Sequence, residues 1–445
     1  WKSRGDLMFK TLRNALKIED IRKKLIFTFL MLVVVRFGSQ LPIPGANRDY
    51  FQAWFAQQTG DAFNFFDAFT GGSFTSMSLF ALGITPYITS SIIVQLLTIA
   101  IPKLEEMQKD GEDGRKKIQT ISRYLTVALA LIESIAMTVG FGSRGLLAAN
   151  TIPNKIVVIA AMTAGSAFLM WIGEEITEHG VGNGISIVLL INIVSRIPDD
   201  FVTLFDQFMK GQTILNAVVA AVVIIAVVLV TVVFVIFLQD GERRIPVQYA
   251  KKMQGRKMVG GQSTNIPLKV NTAGVIPVIF ASSLMSFPNV IASLLGKTGG
   301  TGIGSKIMTG LSQSSWCDPS RPIYSLGLVL YIVLVVFFAY FYTSITFNPI
   351  EISNNMKRQG GFIPGIRPGK PTTEYLSRIL NYIVFIGAVG LIIVCVIPIF
   401  FNGMFGANVS FGGTSIIIIV GVVLETLKQI ESQMLVRYYK GFLND

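Results

Sequence analysis

The residues able to do chemistry are few and widely spaced, and they form no catalytic or metal-binding pattern. His179 is the only histidine, which excludes multi-histidine metal sites and histidine-dependent triads. Cys317 falls in a loop and Cys395 inside an apolar run, so neither a disulfide framework nor a zinc site is supported. Residues 296–298 (Gly-Lys-Thr) match the end of a phosphate-binding loop, but Ile291 occupies the position of its first glycine. The sequence therefore predicts a protein that is not an enzyme and has no metal or cofactor.

One acidic side chain, Glu133, lies deep inside an apolar run. A charged group near the middle of a bilayer costs about 2.5–3.5 kcal/mol on insertion scales, so Glu133 should face other helices or a wet cavity. Ser91, Ser282 and Ser283 are possible partners. A polar latch between helices, a structural hydrogen bond and proton coupling in a secondary transporter are the three interpretations. The transporter interpretation lacks a second intramembrane acid or a basic counterpart.

The composition of the whole chain is that of a membrane protein, so membrane-spanning elements must position these residues. Of the 445 residues, 51% are hydrophobic and only 14% are charged, whereas soluble domains carry about 25% charged residues. A soluble chain of this length would need several domains, and the composition does not supply their polar surface. The fold class we predict is an all-α polytopic membrane protein.

Ten apolar runs predict ten transmembrane helices. Runs of about 20 apolar residues are long enough to cross a bilayer. The runs cover about 24–40, 76–101, 121–141, 155–173, 184–198, 214–238, 273–295, 324–346, 377–401 and 413–430. The run at 184–198 is short, and it is included because the charges of the connecting segments alternate only if it crosses the membrane.

The basic residues of the connecting segments predict the orientation. With a cytoplasmic N-terminus, 29 of the 38 lysines and arginines fall on the cytoplasmic side and 9 on the other, which fits the positive-inside rule. Both termini are therefore expected in the cytoplasm. Residues 1–23 form a basic amphipathic segment expected to lie on the membrane surface, and residues 431–445 form a cytoplasmic tail.

A short pattern occurs once in each half of the chain. Gly83, Pro86, Ile88 and Ser91 fall in register with Gly274, Pro277, Ile279 and Ser282. Five spans (24–198) precede a hinge connection at 199–213 and five (214–430) follow it, so the second half is inverted relative to the first. Matched helix starts broken by Gly and Pro in two inverted halves indicate a pathway between the halves. Chance similarity of apolar segments is the alternative.

Three segments are too polar or too irregular to span the membrane. Residues 60–75 are rich in aromatic residues and glycine and lie on the outer side before the second span, as a surface loop or a small re-entrant element. The loops 239–272 and 347–378 are long, basic and cytoplasmic. Pro and Gly at 364, 365, 368 and 369 fix turns that would present Arg367 at a tip. Fixed turns in a long loop indicate a docking site for a partner. The alternative is a solvated loop whose basic residues only set the orientation in the membrane.

The pathway between the two halves would be filled with water and has no charged binding site. Such a pore must be closed to ions in another way. A constriction of large apolar side chains closes a pore by dewetting. Six aliphatic residues on four spans are candidates for such a constriction: Ile84, Ile88, Ile185, Leu189, Ile279 and Ile418. Isoleucine in a membrane helix more often faces lipid or a helix core, so the residue types alone do not predict convergence.

Nine short stretches together resemble the bacterial SecY family, the core subunit of the protein-conducting channel, over about residues 20–440. The stretches are 83–88, 112–117, 182–186, 243–245, 249–251, 267–271, 347–349, 364–369 and 411–415. The resemblance implies two inverted five-helix halves that form a clamshell around a central pore. It implies a channel that moves unfolded secretory polypeptides with signal sequences across the bacterial plasma membrane and releases transmembrane segments laterally into it.

The resemblance also implies roles for individual residues. The six aliphatic residues would form the pore ring. Residues 60–75 would form the plug, including Phe66, Phe69, Gly71 and Gly72. Spans two, three, seven and eight would form the lateral gate, including Pro86, Ser91, Glu133, Pro277 and Ser282. Arg256, Lys257 and Arg367 would dock the ribosome or the SecA ATPase, and SecE and SecG would be small membrane partners.

Overall fold

The computed structural model describes most of the chain. The described residues are 16–57, 67, 70–142, 145, 147–208, 214–249, 252–254, 257–259, 263–294, 303–312, 315–317, 322–405 and 413–441. Phe66, Phe69 and Arg256, which the sequence assigns to the plug and to docking, lie outside this set. Lys257 lies within it, but only its backbone is described.

Helices dominate the described residues. The helices are α1 (Glu19–Gly38), α2 (Arg48–Gln57), α3 (Thr85–Ala100), α4 (Pro102–Lys109), α5 (Glu112–Phe141), α6 (Ile152–His179), α7 (Gly184–Phe208), α8 (Ile214–Asp240), α9 (Ile276–Leu294), α10 (Ile303–Leu311), α11 (Leu326–Thr346), α12 (Pro349–Arg358), α13 (Lys370–Phe405) and α14 (Gly413–Gly441). A 3-10 helix, Pro322–Ser325, precedes α11.

Ten of the described helices have 16 residues or more, and each overlaps one of the ten predicted spans. They are α1, α3, α5, α6, α7, α8, α9, α11, α13 and α14. Within the described residues, five helices are long and apolar enough to cross a membrane by length and composition alone, and the bent pair α3–α4 makes a sixth. The short run predicted at 184–198 is the first part of α7, which continues through Pro198 to Phe208.

The second predicted span begins later than its hydropathy suggests. Residues 76–84 are apolar, but they form turns, and helix begins only at Thr85. Gly83 has a φ of +59°, in the left-handed region where a helix stops and glycine is favoured. The polypeptide therefore enters the membrane-spanning region at this point as irregular backbone covered by protein, including buried Met77 and Phe80.

The two predicted cytoplasmic loops contain β-structure that the sequence analysis missed. Strands β1 (Glu242–Tyr249), β2 (Lys252–Gln254), β3 (Lys257–Val259), β4 (Ser263–Lys269) and β5 (Gly361–Phe362) form two antiparallel sheets, ordered β4-β1-β5 and β2-β3. Ile245 and Val247 alternate with exposed residues of β1 and pack against Leu376 and Ile379 of α13. The two loops therefore form one unit, and the alternating apolar residues of β1 pack this unit against α13.

The helices pack as two halves with separate cores. One apolar cluster is formed by residues between 43 and 162, in the first half of the chain. A second is formed by residues between 235 and 417, in the second half. Contacts of α5 with α9 and of α7 with α14 join the halves. A pore between the two halves would therefore lie next to these helix contacts.

The repeated pattern has the same backbone geometry in both halves. Gly83 and Gly274 have φ values of +59° and +64°. Pro86 and Pro277 each occupy the second position of the following helix, α3 or α9, where a missing N–H removes no helix hydrogen bond. Equivalent left-handed glycines followed by equivalent helix starts support a structural repeat over chance similarity.

This pair of glycines gives a matched stability test. A Cβ at Gly83 would lie 2.8 Å from Cγ2 of Thr70, whereas nothing lies within 4 Å of a Cβ at Gly274. A left-handed L-residue costs about 1–2 kcal/mol, so both Gly83→Ala and Gly274→Ala should unfold at lower temperature than the parent. Thermal unfolding of the purified proteins in detergent should show the larger decrease for Gly83→Ala. Equal decreases would contradict the placement of Thr70 against Gly83.

Candidate functional site

The structure places all six candidate constriction residues in one apolar cluster. Ile84, Leu189, Ile279 and Ile418 are buried, and Ile88 and Ile185 are partly buried against them. They come from the start of α3, the first two turns of α7, the first turn of α9 and the first turns of α14. We call these six residues the ring. Four elements thus converge on one point from both halves of the chain.

The ring cluster differs from the other two large clusters because it contains residues of both halves. Ile279 and Ile418 belong to the second half, while Val35, Phe80 and Leu169 of the same cluster belong to the first. The ring therefore occupies the boundary between two separately packed bundles. Side chains at such a boundary separate when the bundles move apart, without loss of either core.

A cavity of about 850 Å³ ends at the ring. Five ring residues line its base: Ile88, Ile185, Leu189, Ile279 and Ile418. Its rim is polar and includes Gln119, Arg123 and Glu174, where Arg123 Nε lies 2.7 Å from Glu174 Oε1 and Gln119 Nε2 donates to the same oxygen at 3.2 Å. The cavity is thus a funnel with a wettable rim and an apolar floor.

The chemistry of this funnel is that of a gate. Six aliphatic side chains offer no hydrogen bond to water or ions, so a narrow passage between them resists both. The same side chains have no preference for the chemistry of what passes through. The arrangement is suited to a polymer of varied side chains that must be kept separate from small ions.

The turn-rich segment that leads into α3 packs against the ring cluster. Leu79 and Phe80 pack into the ring cluster from this segment. Gly71 and Gly72 have φ values of +65° and +83°, and Arg36 Nη1 donates to the Gly71 carbonyl oxygen at 3.4 Å. Residues 70–84 therefore contact the ring cluster through Leu79 and Phe80.

The predicted gate residues lie on the helices that border the cavity. Ser91 lines the cavity, and Pro86 and Pro277 are buried at the starts of α3 and α9. Ser282 is buried beside Tyr331 of α11. These helices pack in the order α3, α5, α9 and α11.

Glu133 does not make the contacts that the sequence suggested. Its side chain is half-buried on α5, and no described residue forms a hydrogen bond or ion pair with its carboxylate. The expected partners Ser91 and Ser282 instead face the cavity and Tyr331. A different serine joins the neighbouring helices: Ser90 Oγ donates to the Ser122 carbonyl at 2.7 Å. A residue pattern alone does not distinguish Ser90 from Ser91.

The predicted docking residue Arg367 lies at an exposed tip. The turn is fixed by the Ile366 N–H donating to the Ile363 carbonyl at 3.0 Å and by Thr372 Oγ1 donating to the Arg367 carbonyl at 2.8 Å. Gly365 and Gly369 have φ values of +82° and +104°. The backbone of Arg367 is thus held while its side chain projects from the sheet-containing face.

The polar connections around the funnel and beside the ring are not predicted by local sequence. The Arg123–Glu174 pair crosses from α5 to α6, and Asp67 pairs with Arg196 of α7. An arginine near the end of a predicted span was counted only as a topology signal. Asp67 and Arg196 are far apart in the sequence, so no local spacing predicts their contact.

Comparison with known proteins decides the family. Residues 78–427 match the family model described as SecY. The chain is 43% identical over 447 residues to the protein translocase subunit SecY of Halalkalibacterium halodurans, covering 98% of this chain and all of the relative. It is 42% identical over 452 residues to that of Mycobacterium tuberculosis, with the same coverage.

The chain belongs to the SecY family. The resemblance carried by the nine short stretches is confirmed, and the predicted fold class with it. A solved structure described as a protein conducting channel has a TM-score of 0.61 at 19% identity and covers 93% of this chain and 92% of its own. Sec61 in the canine ribosome-channel complex has a TM-score of 0.60 at 19% identity, with the same coverage. The shared SecY fold places this chain among multi-pass membrane proteins.

Proposed function

We propose that this chain is the protein-conducting channel of a bacterial plasma membrane. It moves unfolded secretory polypeptides across the membrane and releases transmembrane segments sideways into lipid. The observation that supports the proposal most directly is the convergence of the six ring residues in one cluster between two bundles, where five of them line a cavity. The relatives at 42–43% identity are named protein translocase subunits, which agrees with a channel rather than an enzyme.

Three parts of the chain act together in the proposed channel. The ring closes the pore in the idle state by excluding water. The plug, residues 60–75, covers the outer side of the ring, in line with a solved SecY structure described as having a plug domain that stabilises the closed state and maintains a membrane seal. A signal sequence opens the channel by binding the open state more tightly than the closed one.

The lateral gate is the seam between the halves at α3, α5, α9 and α11. A signal sequence inserts there by replacing helix–helix contacts with its own apolar contacts. Pro86, Ser91, Pro277 and Ser282 lie on the two repeat-related helices, and Glu133 lies on α5 between them. Left-handed Gly83 and Gly274 at the helix starts provide the backbone freedom for this movement.

The partners follow from the faces of the molecule. The two loops that contain the sheets are basic, which supports a cytoplasmic location for them and for both termini. Arg256, Lys257 and Arg367 of these loops dock the ribosome or the SecA ATPase, which supply the driving force. SecE and SecG complete the complex within the bilayer. The hinge connection between the halves is the stretch 199–213, of which 199–208 is the last part of α7 and 209–213 lies outside the described residues.

Reconstitution tests the proposal. The chain is purified with its small membrane partners, placed in proteoliposomes and supplied with the motor ATPase, ATP and a secretory precursor. The precursor should become protected from protease inside the vesicles, and the ion conductance should be low until the precursor is added. Failure of the wild-type complex to transport any precursor, with transport by a SecY complex of known activity in parallel, would contradict the proposed function.

The Glu133→Gln variant separates this channel from a proton-coupled transporter. Glu133 has no hydrogen-bond or ion-pair partner among the described residues, and it lies within a predicted span. The variant keeps the size and polarity of the side chain, and a channel needs no proton there. Precursor transport should therefore change by less than about twofold, since a substitution that breaks no buried contact or network usually has a small effect. Loss of precursor transport in Glu133→Gln would contradict this prediction, and loss of a proton-coupled solute flux in the same variant would favour the transporter interpretation.

A further inference from the structure

The two walls of the funnel differ in their polarity. Among the described residues, the second half of the chain lines the funnel with Tyr342 and apolar side chains such as Val275 and Phe280, and with no charged side chain. All the charged side chains of the described lining come from the first half, and they are Lys116, Arg123, Glu174 and Glu178. A polypeptide that enters the funnel therefore meets charges on one side only.

The charged wall is built from one face of each of two helices. Polar residues spaced three and four positions apart lie along one side of a helix. Those of α5 are Lys116, Gln119, Thr120 and Arg123, and those of α6 are Glu174, Thr177 and Glu178. The face of α5 carries two positive charges and the face of α6 carries two negative charges. The net formal charge of the described funnel lining is therefore zero.

An ion pair joins the two faces. Arg123 Nε lies 2.7 Å from Glu174 Oε1, and Gln119 Nε2 donates to the same oxygen. The side chain of Glu174 is 14% exposed and that of Arg123 is 46% exposed. A carboxylate so far removed from water needs a partner, whereas the arginine remains accessible from the cavity. Neutralising either member of the pair would leave one excess charge in the wall.

An excess charge in this funnel would act on the charged side chains of a polypeptide inside it. A cleft with apolar walls of low dielectric constant focuses the field of the charges that line it, and the second half supplies such a wall. Even in water, two like charges about 4 Å apart repel each other enough to shift an equilibrium about fivefold. A stretch of residues with the same sign as the excess charge would therefore be held back.

We propose that the opposed charges of α5 and α6 keep the funnel electrically neutral, so that neither acidic nor basic stretches of a polypeptide in transit are held back there. Arg123 and Glu174 thereby determine which charged stretches the channel admits. The aliphatic ring cannot do so, because its side chains carry no charge. This inference rests on the proposed function, since it concerns the passage of polypeptide through the funnel.

Transport of three matched precursors tests the charge balance. They differ only in one short stretch of the mature region, made of aspartate, lysine or asparagine. Rates are measured in proteoliposomes that hold the complete membrane complex, with the motor ATPase and ATP and without a membrane potential, because the potential itself acts on charges. All rates are compared with those of the parent.

Opposite variants should disfavour opposite precursors. Glu174→Gln leaves one excess positive charge, so the lysine precursor should be transported about fivefold more slowly relative to the asparagine precursor. Arg123→Gln leaves one excess negative charge and should slow the aspartate precursor to the same extent. The double variant is neutral again and should treat the three precursors as the parent does. Raising the salt concentration should weaken both preferences, because ions screen exposed charges.

Two further variants separate charge from packing. Glu178 lines the cavity and has no hydrogen-bond or ion-pair partner among the described residues. Glu178→Gln therefore changes the charge without breaking a contact, and it should slow the lysine precursor as Glu174→Gln does. It decides the test if Glu174→Gln does not fold. Lys428→Gln is the control, because it breaks a pair of similar exposure, 3.0 Å from Asp240 and outside the described cavity lining. It should leave all three rates unchanged.

The contrary results are equally defined. Equal slowing of the three precursors in the single variants, a charge preference that persists in the double variant, or the absence of any preference would overturn the charge balance. In each of these cases the wild-type complex would still transport the asparagine precursor, so the proposed function would stand. Failure of the wild-type complex to transport any precursor would instead overturn the proposed function.

Discussion

Replacing Ile279 by asparagine should make the idle channel leak ions and accept precursors with poor signal sequences. Ile279 is buried in the ring cluster and lines the floor of the cavity. An amide at this position favours the hydrated, open ring, because burying it unpaired in the closed ring costs about 1–3 kcal/mol. That range corresponds to a shift of about 5- to 150-fold toward the open state. The shift toward the open state is measured as single-channel or bulk ion conductance and as transport of a precursor with a weak signal sequence.

The control for this prediction is Ile279→Val. Valine keeps an apolar, β-branched side chain, so the ring remains dry and the conductance should change little. A leak in both variants would indicate that packing rather than polarity holds the ring closed. Unchanged ion conductance and unchanged signal stringency in Ile279→Asn would contradict the assignment of the ring.

Reversing the charge of Arg367 should abolish motor-driven transport while leaving the fold intact. The side chain is exposed at a tip whose backbone is held by hydrogen bonds that do not involve the guanidinium. Loss of an arginine that anchors an interface costs about 2 kcal/mol or more, or at least about thirtyfold in affinity, and Glu adds repulsion against an acidic partner surface. ATP-dependent precursor transport should fall below detection in Arg367→Glu, with a midpoint of thermal unfolding close to that of the parent.

Lys306→Glu provides the matched control for the docking variant. It makes the same change in net charge at an exposed lysine of α10, on the face predicted to be external. Transport by this variant should equal that of the parent. Normal motor-driven transport by Arg367→Glu would remove the docking role from the 364–369 turn, whatever the behaviour of the control.

Parts of this structure follow directly from local sequence. Gly83 and Gly274 predict matched irregular helix starts because only glycine adopts a positive φ without strain, and both have it. The ten apolar runs each contain a described helix because a long apolar stretch in a membrane has few alternatives to helix. The start predicted for the second span, residue 76, is wrong because hydropathy reports apolar character and not backbone conformation; helix α3 begins at Thr85.

Other parts depend on contacts that spacing does not encode. The convergence of the ring was expected from the family resemblance, because an isoleucine in a spanning helix gives no sign of whether it faces lipid or pore. The β1–β4 pairing was missed because Pro246 and the basic residues around it are typical of a loop, while the alternation of Ile245 and Val247 is short. Asp67 and Arg196 lie far apart in the sequence, so no helical or strand period relates them.

Cross-linking shows whether a polypeptide in transit passes between the ring residues. Single cysteines are placed at Ile88 and at Phe337, which faces outward near the middle of α11, in a chain carrying Cys317→Ser and Cys395→Ser. A precursor with one cysteine is arrested during transport and oxidised. We expect a disulfide to the precursor from the cysteine at position 88 and none from position 337. Linkage from position 337 with none from position 88 would show that polypeptide does not pass between the six ring residues.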